Sequence, residues 1–421
     1  MNVLIKSATI VAPNDSSLHL KKRDIAIKKG KIETIAPRIE NKDDFRIIER
    51  DNLHVSLGWF DSGVAFGEPG FEERETLENG LEVASKSGFT DILLNPNTNP
   101  CADTNAAIVF LKERSAKKST SLYPLGNITV NSDGKSLAEM FDMHQAGAIA
   151  FYDYKASMSN ANLMKIALLY AQNFDGLIFS YPLDENIKGK GVVNEGVVST
   201  QLGLKGIPAL AEELQIARDL YILEYTGGKL HIPTISTEGG VKLIAAAKKK
   251  GLNVTCSAAI HNLLLTDACL QGFDSNFKVS PPLRTQKDVN ALQKGVINGT
   301  IDMVTSDHTP MNIEEKKVEF DNAGYGTIGL ESAFGALHSI FDLDKTIGLL
   351  TKGRNRFNLE TPSFDLGEPA NFTLFDPSYE YTFEEKHIQS SSKNSAFIGL
   401  HLRGKVYGIV NNGKVNLNKN G

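Results

Sequence analysis

The chain has 421 residues, 41% of them hydrophobic, enough to bury one large core. Forty-five basic residues against fifty acidic ones give a net charge of −5, which argues against a nucleic-acid or anionic-membrane surface. There is no run of about 18 apolar residues, the start Met1-Asn2-Val3-Leu4-Ile5-Lys6 lacks a signal-peptide layout, and Cys101, Cys256 and Cys269 form no CxxC pair. Buried free thiols in a reducing, cytoplasmic setting are therefore expected.

In chain order, residues 2–12 and 24–37 read as short strands with a turn at Lys29-Gly30. The apolar run from His54 to Phe60 opens a strand over 54–61, and a helix-like segment follows over 72–86. Further strand-like runs recur at 90–95, 122–129, 148–153, 176–181, 229–235, 253–258 and 302–306. Helical blocks lie between them at 104–117, 159–173, 209–224 and 239–250. In the last block Val241, Leu243, Ile244 and Ala247 recur at helical spacing. Residues 371–376 and 396–417 again read as short strands, with a turn at Asn411-Asn412-Gly413. Eight strand–helix units predict an α/β fold, a (β/α)8 TIM-type barrel over 54–360 flanked by strand-forming ends at 1–53 and 361–421. In such a barrel the chemistry sits at the C-terminal ends of the strands. No internal repeat beyond this alternation and no low-complexity segment is present.

The first of those strand ends reads Asp61-Ser62-Gly63-Val64-Ala65-Phe66-Gly67-Glu68-Pro69-Gly70-Phe71-Glu72, with Glu75-Thr76 beyond it. Gly88-Phe89-Thr90-Asp91 and Asn95-Pro96-Asn97-Thr98-Asn99-Pro100 follow, then Gly191 to Gly196 and Gly203 to Pro208. Phe277-Lys278-Val279-Ser280-Pro281-Pro282-Leu283-Arg284, Thr305-Ser306-Asp307-His308-Thr309-Pro310 and Gly326 to Glu331 come later, and Ser392-Lys393-Asn394 lies in the tail. In this order, over essentially the whole chain, these motifs resemble the dihydroorotases of pyrimidine biosynthesis. The resemblance implies a metal-dependent amidohydrolase barrel, zinc in active relatives, and a small β-sandwich made by the two chain ends. Fold alone does not carry the activity across.

The resemblance also marks where this chain departs. Two residues apart on a strand share a face, so the first strand end would carry Asp-x-His-x-His, two imidazoles on one metal. Here those positions are Gly63 and Ala65. The acidic ligand position in Phe151-Tyr152-Asp153-Tyr154-Lys155 is Tyr154, and Asp153 is expected to point the other way. Tyr181 stands at the histidine position of the fifth strand and Thr234 at that of the sixth, where His231 is the other, non-ligand histidine. Only Asp307, metal ligand and general base in active relatives, is retained. A catalytic zinc takes about three protein ligands and a water, so one aspartate is too few. Without the metal the attacking water keeps its bulk pKa and the ring carbonyl loses its Lewis acid. Gly67 stands where an Arg would grip the substrate carboxylate, Ser280 replaces an Asn and Met311 a His. Of the substrate contacts, Asn97, Ser280 and the loop at Tyr325 and Gly326 remain as vestiges.

Blander readings account for the rest. None of the nine histidines stands two or four residues from another, so no short-spaced His pair has moved elsewhere. His231 and His261, on barrel strands, and His308 read as packed residues. Lys155 lacks histidines with which to share a carbamylated bridge, and Lys248-Lys249-Lys250 reads as a solvated helix end. Tyr154 and Tyr181 read as side chains filling the space a metal and its ligands would take. Three functions remain open. One is an inactive, metal-free dihydroorotase homologue acting as structural or regulatory partner of aspartate carbamoyltransferase. The second is an active cyclic-amide hydrolase with unexpected ligands, and the third a metal-free metabolite binder. A homodimer or larger assembly is expected.

Overall fold

The barrel starts where the chain crosses between two sheets at Gly58. In the computed structural model, which describes residues 1–41 and 45–418, the run over 54–61 is two strands, His54–Leu57 and Trp59–Val64. A Cβ at position 58 would stand 1.9 Å from Asn371 Oδ1 and 2.2 Å from Thr90 Oγ1, so glycine is required for the crossing. His54–Leu57 runs parallel to Val3–Ile10 and antiparallel to Phe372–Thr382. It thereby joins an eight-stranded sheet built from both chain ends, with Lys31–Ala36 at one edge and Lys414–Leu417 at the other. The sheet closes over its own apolar core, which includes Ile5, Ile25, Val55, Phe372 and Val410. This is the small β-sandwich.

Beyond Gly58 the strands are parallel. Trp59–Val64, Phe89–Leu94 and Ser121–Pro124 form one ladder; Leu177–Phe179, Lys229–Ile232, Val254–Ala259 and Met303–Thr305 form another. The expected strand over 148–153 is reduced to Phe151, which bridges to Gly126 on one side and Ile178 on the other. Asp153 takes the amides of Ile128 (2.9 Å) and Thr129 (3.1 Å), so a carboxylate accepts where a strand carbonyl would. A parallel bridge between Val64 and His308 closes the circle. The result is the (β/α)8 barrel with its side sandwich.

The helices begin where the sequence supplies caps. Thr76, Thr104 and Thr237 each accept from the backbone amide three residues on, and Asn160 from the amides two and three residues on, at Asn162 and Leu163. At the base, buried Arg354 donates to Asp91 Oδ2 (2.6 Å) and the Gly58 carbonyl (2.8 Å), tying the crossing point to the second strand. His261, expected on a strand, lies instead in the one-turn helix Ile260–Leu264 that follows Val254–Ala259. Of the cysteines, Cys256 is buried while Cys101 and Cys269 are partly exposed, and all three are free. Lys248 is not simply solvated: its ammonium reaches Asp302 at 2.6 Å and the Thr300 carbonyl at 2.8 Å.

Candidate functional site

At the C-terminal mouth, Asp61 locks the first strand end to the eighth. Its Oδ1 accepts from the Gly63 amide (3.0 Å) and Thr305 Oγ1 (2.6 Å), and its Oδ2 from the Ser306 amide (3.0 Å). The Ala65 amide donates to the His308 carbonyl at 2.8 Å, continuing the seam. His308 Nδ1 in turn accepts from the amides of Gly329 (3.2 Å) and Leu330 (3.4 Å). Asp61 and the Nδ1 of His308 are thus engaged in holding backbone amides.

Three residues at these strand ends hold left-handed backbone: Lys155 (φ 52°), Thr234 (φ 49°) and Asp307 (φ 47°). For a β-branched residue such as Thr234 this is costly, and such strain gathers at functional sites. The left-handed turn at Lys155 accompanies a side chain that reaches across the mouth. Its ammonium stands 2.9 Å from Asp307 Oδ2, and both side chains are buried. Burial works against both charges. It would lower Lys155, but Asp307 outweighs it and holds the ammonium above its ordinary value. Burial leaves the Asp307 carboxyl raised despite the pull of Lys155. At 2.9 Å each group favours the charged form of the other.

Aromatic bulk closes the rest. Tyr154 OH meets Thr309 Oγ1 at 2.9 Å, and the Lys155 ammonium lies 5.4 Å from the Tyr154 ring centre. Tyr181 OH meets Ser280 Oγ at 2.5 Å. Burial pushes both phenols above their usual value, so neither supplies an anionic ligand. Gly63, Tyr154, Thr234 and Asp307 line what is left, a cavity of about 10 Å³, no more than the space of one water. Thr234 Oγ1 is buried without a hydrogen-bond partner.

The other expected positions lie off this cavity. Asn97 holds a buried Oδ1 with no hydrogen-bond partner, and the Tyr325 ring lies 4.8 Å from the Lys278 ammonium. The Gly326 carbonyl is held by Lys316 Nζ (2.9 Å) and Asn394 Nδ2 (3.1 Å). Asp153 faces away, accepting from Thr129 Oγ1 at 2.5 Å. At Gly67 the backbone has φ 115° and a Cβ would stand 2.8 Å from the Phe71 carbonyl, so this backbone does not admit an arginine there. A Cβ on Gly63 would already meet Thr305 Oγ1 at 3.3 Å and Asn95 Nδ2 at 3.4 Å.

These donors do not fit a zinc ion. Asp307 is engaged by a cation, Tyr154 and Tyr181 are neutral phenols, and Gly63 and Ala65 offer no side-chain donor. Among the described residues, no three His, Cys, Asp or Glu side chains gather as a metal would need. Lys155 is the residue the sequence reading underrated. Its neighbour Tyr154 held the expected position, and strand alternation would have sent Lys155 the other way. A buried aspartate calls for a cation, and the nearest lysine at a strand end, Lys155, supplies it.

The solved structures most like this one include an L-hydantoinase from Arthrobacter aurescens, with TM-score 0.84 at 22% identity over 99% of this chain and 96% of that one. A D-hydantoinase from a Thermus species gives 0.82 at 18%, over 100% and 96%. These likenesses show the fold, a (β/α)8 barrel with its flanking sandwich. In sequence, residues 54–239 match the family described as dihydro-orotase-like. Proteins named dihydroorotase from Pelotomaculum thermopropionicum and Caldicellulosiruptor saccharolyticus are 38% and 40% identical over 99% and 100% of this chain. The matches span 98% and 99% of those relatives. The chain belongs to the dihydroorotase family.

Removing one member of the buried pair should be costly. Lys155→Met is expected to lose about 3–5 kcal/mol in urea denaturation at neutral pH, and Lys155→Met/Asp307→Asn to recover most of it. Equal stability of wild type and Lys155→Met would contradict the pairing.

The buried histidines set the acid limit. Burial holds His261 neutral down to about pH 3, with Lys155 adding to the effect, and His308 down to about 4. The unfolded chain takes up these protons below about pH 6.5, so the stability is complete above that value and drains away toward pH 4. His261→Leu removes ring nitrogens that lack partners and should flatten this loss by up to about 1.4 kcal/mol per pH unit, read from urea midpoints between pH 6.5 and 4.5.

Proposed function

We propose that this chain is a catalytically inert, metal-free member of the dihydroorotase family that serves as a structural or regulatory partner of aspartate carbamoyltransferase. In this reading the five vacated ligand positions are Gly63, Ala65, Tyr154, Tyr181 and Thr234, and Asp307 is the retained general-base position, now orphaned. The observation that carries the proposal is the 2.9 Å contact of the Lys155 ammonium with Asp307 Oδ2. An aspartate so paired is a poor base and a poor ligand, because a metal would have to displace the ammonium and meet its charge. The backbone at Gly67, which leaves no room for a carboxylate-binding arginine, supports the same conclusion from the substrate side. The partnership itself rests on the resemblance and on how well the scaffold has kept its shape around a changed site. A homo-oligomer belongs to the same proposal.

One observation favours a second reading, an active dihydroorotase or related cyclic-amide hydrolase: the relatives at 38–40% identity over nearly full length carry the name dihydroorotase. A third reading, a metal-free metabolite binder, has less to support it, since the roughly 10 Å³ left at the mouth does not admit a six-membered ring.

Protein purified without chelator should carry far less than one zinc per chain, and Gly63→His/Ala65→His should gain no dihydroorotate hydrolysis, since ligands act as a unit. Stoichiometric metal by elemental analysis, lost in Asp307→Ala, would sink the inert reading and leave the hydrolase.

Mixed with its own organism's aspartate carbamoyltransferase at micromolar concentration and low salt, the chain should give one heavier species by light scattering and altered transferase stability or kinetics. Two independent peaks with unchanged kinetics would remove the partnership.

A further inference from the structure

The longest helix of the chain, Ala209–Thr226, turns an apolar stripe to water. Leu210, Leu214, Ala217, Tyr221 and Tyr225 follow one another at steps of four, three, four and four, and so share one side of the helix. Tyr221 is 73% exposed and Tyr225 81%, with Leu210 at 56% and Leu214 at 46%. Beside it runs helix Ala161–Ala171, which adds the exposed Ile166 and Leu169. The two helices are joined along their length. Gln172 Nε2 donates to the Thr226 carbonyl at 3.1 Å, and Arg218 donates to the carbonyls of Met158 (2.7 Å) and Ser159 (3.2 Å).

The charged residues nearest the stripe are already engaged. Arg218 turns back onto buried Asp219 at 2.7 Å, and Glu224 pairs with Lys250 at 3.0 Å. Taking about 200 Å² per large side chain, the six large residues leave roughly 700 Å² in water, near the roughly 800 Å² each partner gives a standard interface. An apolar patch of this extent marks an interaction site.

We propose that the occupant is a second copy of this chain, docked through the same helix about a two-fold axis between residues 217 and 218. The stripe is self-complementary about that point. An antiparallel pairing sets Leu210 against Tyr225 of the copy and Leu214 against its Tyr221, a smaller side chain facing a larger one along the whole seam. Ala217, the smallest member, falls at the axis, where two packed helices come closest. Such an isologous contact closes on itself and ends at a dimer. The inference rests on the homo-oligomer part of the proposed function and on neither inactivity nor the transferase.

The test is sedimentation of the full chain at micromolar concentration, with circular dichroism and melting as checks on folding. Wild type should be dimeric, Leu214→Glu/Tyr221→Glu folded and at least about 30-fold weaker in self-association, and Val197→Glu, on another exposed helix, as dimeric as wild type. Register is read by cross-linking in a background with Cys101 and Cys269 replaced by Ser. A mixture of Leu210→Cys and Tyr225→Cys chains should give covalent dimers under mild oxidation, and Leu210→Cys alone should not. Dimers equally strong in Leu214→Glu/Tyr221→Glu, or linked by Leu210→Cys alone, would overturn this surface while leaving the homo-oligomer standing. A monomeric wild type would overturn both. Loss of transferase binding in a chain that never self-associates would assign the patch to that partner and overturn the two-fold proposal.

Discussion

A carboxylate enclosed at the mouth of a barrel has to be met by a cation or surrender its charge, since desolvation of a lone ion costs several kcal/mol. In this chain the cation is the Lys155 ammonium, 2.9 Å from Asp307. The rest of the site is arranged around that pair. Tyr154 and Tyr181 anchor their hydroxyls on Thr309 and Ser280, and Thr234 lines the remaining space. A divalent ion with its waters would need room and free lone pairs. The pair leaves little of either.

Around the pair the scaffold is held by its own contacts. Asp61 still clamps the first strand end to the eighth through Thr305 and Ser306, and His308 still receives two loop amides. The left-handed backbone at Lys155, Thr234 and Asp307 is set by the frame and not by the side chains: nothing in a threonine calls for φ 49°. Lys316 anchors the neighbouring loop through the carbonyls of Gly324 and Gly326, and burial draws its ammonium down to about 7. Backbone architecture and catalytic side chains thus rest on separate sets of contacts, and one set can change without unmaking the other.

Much of this was legible in the sequence. The alternation of strand-like and helical blocks marks the barrel, and motif order along the chain points to the family. The misses have local causes. Residues 54–61 look like one apolar strand, and only the crowding of Asn371 and Thr90 on Gly58 shows that two sheets share the run. Residues 148–153 look like a strand, but Asp153 diverts the amides of Ile128 and Thr129 from a ladder. The contact of Lys155 with Asp307 is not readable from strand alternation, since a period of two places Lys155 opposite Tyr154 and a left-handed turn is invisible to periodicity. The leucines and tyrosines of the 209–226 helix could by sequence equally have faced the core, and only the fold turns them to water.

The central claim is that an ammonium stands where the family's resemblance places a metal. It is tested most directly by diffraction at the zinc edge from crystals grown in millimolar zinc. Anomalous density should be absent at Asp307, with Lys155 still in contact with its carboxylate. A peak bound to Asp307, with the Lys155 side chain displaced, would contradict the account.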